Sequence, residues 1–219
     1  MGDLPWVDLP TPGIKPGWSA NDLNVVFGDV SLPDTTWSSP PGKGTVNGQA
    51  YDYVFPDSPV PVAYDCHMPK NGDIYVGTNV SVRLNVSVSK YAPNDIYVAG
   101  TGKAAGKLTA FLNGPPGQTC TLGTTDKTQS GLAANLAFLG LPNCTTLNYN
   151  GNGDFTGVMY FPEADFHLAG GGGGIIDFIG SSVSKTVQMN GHYHFHYDES
   201  LKKVGPNTGY KAMSWAEVP

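Results

Sequence analysis

Apolar and polar residues along the second half of the chain alternate with a period of two, the spacing of a strand with one buried face. "NGHYHFHYDESL", Asn190 to Leu201, shows it most cleanly. As a strand it puts Tyr193, Phe195 and Tyr197 on one face and His192, His194 and His196 on the other. The alternating segments also repeat. "NGDIYVG" at Asn71 returns as "NDIYVAG" at Asn94, and "GDFTGVMYFPEADFHLAG" at Gly153 aligns without a gap on "GIIDFIGSSVSKTVQMNG" at Gly174. That alignment sets Phe155 on Ile176, Val158 on Ile179, Phe166 on Val187 and Leu168 on Met189. Placing Gly191 on Gly151 adds a partial third copy, with Phe195 on Phe155.

Short strands broken by Gly and Asn and recurring every ~20 residues are what one turn of a β-solenoid requires. Each turn leaves an apolar row that only a neighbouring turn can bury. The pattern therefore predicts an all-β fold, a right-handed parallel β-helix over residues 66–219. An irregular Pro/Gly-rich segment, residues 1–65, is expected to wrap or cap it. All nine paired residues, Phe195 included, are expected in one continuous core. A β-sandwich is the runner-up, and it does not call for in-register repeats. "SGLAANLAFLGL", Ser130 to Leu141, reads either as a helix capped by Ser130 or as a buried strand, because "NLAFLGL" is short and ends in Gly and Pro.

Composition agrees with a β fold. Charged residues are 14% of the 219, with 29 Gly and 18 Pro, against about 25% charged in an ordinary domain. A net charge of −6 without a Lys/Arg cluster argues against a nucleic-acid partner. No apolar run reaches the ~20 residues of a membrane span, so membrane insertion by this segment is not expected. The start, "MGDLPWVDLPTPGIKPGWS", lacks the basic and apolar regions of a signal peptide and reads as a connector within a longer protein.

Of the three cysteines, Cys120 and Cys144 bracket one segment and would close it as a disulfide in an exported protein, leaving Cys66 as a small buried hydrophobe. Three reduced, buried thiols are the alternative. Sequons stand at Asn79, Asn85 and Asn143.

The tail from "NGDFTG" through "YFP", "MNG" and "FHYDESL" to "GYKAMSW" resembles a bacterial domain of unknown function found at the C-terminal end of PilX-like, type IV pilus-associated and related surface proteins. The likeness covers residues 148–215 best and extends back to residue 71. It departs at Gly170–Gly174 and at His192 and His194. It implies a β-helical, surface-exposed, extracellular module, and it carries no catalytic residues.

Three sets of residues could carry chemistry. The histidines His192, His194 and His196 offer nitrogen ligands suited to zinc or copper. Asp154 is the first choice for a further ligand, being level with His194, but it lies two turns away, roughly 9–10 Å at ~4.8 Å per rung. No tightly bound metal is therefore expected at His192 and His194. His196 is read as bonding Asp198 or a backbone carbonyl. The carboxylates Asp154, Asp165, Asp177, Asp198 and Glu199 could supply an acid/base pair for a polysaccharide hydrolase or lyase. Basic residues for an acidic sugar are few, however: Arg83, Lys90, Lys103, Lys107 and Lys185. The glycine run lacks the Lys and following helix of a phosphate loop and reads as a corner. Trp6, Trp18, Trp37 and Tyr51 would stack on sugars or cover an open solenoid end. The expected function is a surface-displayed structural or adhesion module that contacts polysaccharide or neighbouring pilus or envelope subunits. No cofactor is expected. A carbohydrate-active enzyme and a metal-dependent enzyme on the histidine stripe are the alternatives.

Overall fold

The computed structural model describes residues 32–68, 72–87, 96–99, 106–113, 119–124, 131–151, 154–170, 174–198 and 201. The strands are β1 (Gly44–Val46), β2 (Gln49–Tyr51), β3 (Tyr53–Phe55), β4 (Val62–Met68), β5 (Gly72–Val76), β6 (Val80–Ser87) and β7 (Ile96–Ala99). They continue with β8 (Lys107–Asn113), β9 (Thr119–Thr124), β10 (Leu136–Gly140), β11 (Thr146–Gly151), β12 (Phe155–Gly170), β13 (Ile176–Asn190) and β14 (Tyr193–Tyr197). The alternative of a helix over Ser130–Leu141 resolves to a short 3-10 turn, Ala133–Asn135, followed by the buried strand β10.

Apart from the β1–β2 hairpin, every named pair is parallel. One sheet runs β4-β6-β8-β10-β12-β13-β14. Across the core, β3-β5-β7 forms one stack, and β9 and β11 stack on the second half of β12. The chain passes from one face to the other and back, a parallel β-solenoid of about five turns. β3 and β4 already belong to the stack, so the boundary expected at residue 65/66 falls inside β4.

Inward rows are apolar ladders. Cys66, Leu84, Ala110, Phe138 and Met159 follow one another across five rungs, all buried. Phe155, Phe178 and Phe195 form a second row, with ring centroids 4.8 and 5.1 Å apart. That is the rung spacing of a parallel sheet, so in-register aromatics stack with offset faces without disturbing the hydrogen bonds.

The gapless pairing of Gly153–Gly170 with Gly174–Gly191 holds for half its length. Phe166 pairs with Val187 and Leu168 with Met189 as expected, but Phe155 pairs with Phe178, not Ile176, and Val158 with Ser181, not Ile179. The cause is a register shift between Phe161 and Asp165, where β12 places Pro162, Glu163 and Ala164 opposite Lys185 alone. The Asp-Ile-Tyr-Val repeat slips likewise, Ile74 pairing with Val98 instead of Ile96. Both slips are by two, and between β12 and β13 each inward side chain therefore stays inward.

The nine-residue core needs correction at its C-terminal end. Phe155, Val158, Phe166, Leu168 and Ile176 are buried, and Ile179 is half-buried. Val187, Met189 and Phe195 are 55, 54 and 47% exposed. They lie on the last described rungs, and an inward row is buried only when another rung stacks on it.

The segment before β1 straps the other end of the sheet. Ser38 forms a parallel bridge with Cys66, its N–H donating to the Asp65 carbonyl at 2.8 Å, and the Thr35 hydroxyl donates to the Asp65 carboxylate at 2.9 Å. Trp37 and Leu32 cover an outward apolar row of Phe111, Leu139 and Tyr160. Trp37 therefore seals a sheet face instead of an open end.

Candidate functional site

Among the described strands β14 is the last of its sheet, and parallel pairing sets Asp177 of β13 directly beside His194. His196 lies two residues on, on the same outward face. His194 Nδ1 is 3.5 Å and His196 Nε2 3.2 Å from one Asp177 oxygen, Oδ1. The two imidazole centroids are 6.1 Å apart and mutually perpendicular. One ligand atom from each of the three residues lies within 4.8 Å of the other two. Both histidines are exposed and Asp177 is half-buried.

Asp154 stands one rung further back, with Oδ1 accepting the Asp177 backbone N–H at 2.9 Å. Its carboxylate thus fixes the start of β13 at the level where the Asp177 side chain emerges. The two-residue slip produces this arrangement. The gapless alignment sets Asp177 opposite Thr156, whereas the true register sets it between Asp154 and His194. Asp177 was therefore recognisable as a carboxylate candidate but not as the partner of the histidines.

The other expected residues fall elsewhere. His192 is outside the three-residue group, and its backbone carbonyl accepts the Ile176 N–H. His196 bonds Asp177, not Asp198 or a carbonyl. Asp165 lies on the opposite face and accepts the Thr186 hydroxyl at 2.7 Å. The Asp198 N–H donates to the Gly180 carbonyl at the end of β14. Glu199, Trp6, Trp18, Lys90 and Lys103 lie outside the described residues, as do most of the glycine run and the Cys120 side chain. Of the four described carboxylates, Asp154 and Asp177 are neighbours on adjacent rungs and Asp165 stands apart from them. Arg83 forks onto Asp65 through two 2.6 Å bonds, which hold the Asp65 carboxyl below its usual range and Arg83 above. Its guanidinium is committed to that pair. Cys66 is a free thiol, pushed up by burial, and Cys144 is disulfide-bonded.

A second feature was only half visible in sequence. Tyr51 of β2 and Tyr75 of β5 hold their rings 5.5 Å apart, and the Tyr75 hydroxyl donates to Asp57 at 3.4 Å.

The comparison that decides the family covers residues 67–204, the solenoid from β4 to just past β14. This chain belongs to the DUF7305 family, a domain of unknown function. No curated protein and no solved structure matches it. In this DUF7305 domain the matched span includes Asp177, His194 and His196 but excludes the Thr35–Ser38 strap and Tyr51.

Proposed function

We propose that this DUF7305 domain is an extracytoplasmic, surface-displayed structural and adhesion module of a pilus-associated or envelope protein. Its contact surface is the C-terminal end of the described rungs, and its partner is a neighbouring copy of the same domain. One observation carries the reading: Val187, Met189 and Phe195 are about half exposed, although they are in register with buried Phe166, Leu168 and Phe178. Side chains built to lie under a further rung form a patch that a second solenoid end can cover. The disulfide at Cys144 supports an oxidising compartment. Sedimentation velocity tests the contact. Concentration-dependent dimers should weaken in a Val187→Ser/Met189→Ser variant, and a wild type that stays monomeric throughout would refute it.

The Tyr51–Tyr75 pair favours a second reading, glycan binding, in which the rings stack on a sugar and Asp57 accepts its hydroxyls. Tyr75→Ala should then abolish retention on an immobilised polysaccharide without changing sedimentation.

A further inference from the structure

We propose that Asp177, His194 and His196 form a binding site for a divalent transition metal of the zinc or copper class, with coordination positions left open to an outside ligand. Two imidazole nitrogens and one carboxylate oxygen suit these ions, whereas magnesium and calcium take all-oxygen sets. Zinc binds such donors at about 2.0–2.2 Å, so in a tetrahedral site neighbouring ligand atoms lie roughly 3.3–3.6 Å apart. Asp177 Oδ1 is 3.5 Å from His194 Nδ1 and 3.2 Å from His196 Nε2, so two of the three edges are already close to that length. The third joins two exposed rings on one strand and closes by rotation about their side-chain torsions.

The frame behind these side chains is set. Asp177 and His194 are register partners, and the bond from the Asp177 N–H to Asp154 holds the β13 backbone. This places a second carboxylate one rung behind the first, the kind of support that orients a ligand residue. The outer side of β14 is a sheet edge among the described strands, which leaves room for an incoming donor. The distance that argued against a site on His192, His194 and Asp154 does not apply, because the ligand comes from the rung between.

Isothermal titration with zinc chloride, and spin resonance of the copper(II) complex, test this on the intact chain. One equivalent should bind, and the copper spectrum should show two imidazole nitrogens. His194→Ala, His196→Ala and Asp177→Asn should each weaken binding by about 100-fold or more, beyond the 10–100-fold that loss of a supporting residue costs. His192→Ala should bind as the wild type does, and circular dichroism should show that every variant remains folded. Wild-type affinity in Asp177→Asn would overturn the site. So would equal loss in His192→Ala, which would mark adventitious capture by exposed histidines.

Discussion

Leu168 and Met189 are direct register partners on adjacent rungs, yet one is fully buried and the other more than half exposed. Leu168→Ala should cost about 2–5 kcal/mol, and Met189→Ala in the monomer no more than about 0.5 kcal/mol. Urea denaturation of both variants at low concentration checks the contrast. Alternation in the sequence showed which way these side chains point. It could not show their exposure, which depends on the rung that follows. Gly180 is constrained for a different reason. Its φ is +141°, and an added Cβ would strike the Gly157 carbonyl oxygen one rung away. Gly180→Ala should lower the melting temperature, while Gly174→Ala, in open space, should leave it nearly unchanged. The Asp65–Arg83 fork adds a pH dependence. Its folded-state carboxyl is the stronger acid, so the stabilisation is complete above the ordinary carboxylate range and fades as pH falls through and below it. Both groups are partly exposed, which limits the contribution to about 1 kcal/mol. Arg83→Met should therefore destabilise slightly at pH 7, and the gap should close near pH 2.

Between strands, the legible part is the rung and the hidden part is the register. The repeats at Asp73 and Asp95, and at Gly153 and Gly174, named strands that do stack. Backbone bonds in a parallel ladder are indifferent to which letters face each other, so the matched letters did not have to be partners. Sliding a rung by two keeps the apolar face inward at little cost. That freedom hid the grouping of Asp177 with His194, while Phe195 landed correctly on the Phe155 row through Phe178. The 3-10 turn before β10 escaped notice because the apolar run of Leu136–Gly140 supports helix and strand alike at that length. The segment from Cys120 to Cys144 contains β9 and β10, on opposite faces of the core. A Cys120–Cys144 bond would tie β9 to the turn between β10 and β11. Thiol titration under denaturing, non-reducing conditions should return one free thiol, Cys66; three would exclude the bond.

Taken whole, the stack starts earlier than composition suggested, because Pro-rich sequence around β3 still supplies buried Tyr53 and Phe55. Prolines there sit in the connections, where they remove no ladder bond. The corner in β12 has a further consequence. Pro162, Glu163 and Ala164 add two residues to a turn whose neighbour spans the same corner with Lys185, and the inward rows on either side remain aligned. Chain length at this bend thus obeys a parity rule. Two residues inserted after Glu163 should be absorbed as a larger bulge. One residue would turn Phe166 and Leu168 out to water and Asp165 and His167 into the core. Proteolysis of the two insertion variants should find the first resistant and the second readily cut. Natural members can lengthen such a corner in pairs and so reshape the surface while the interior stays as it was.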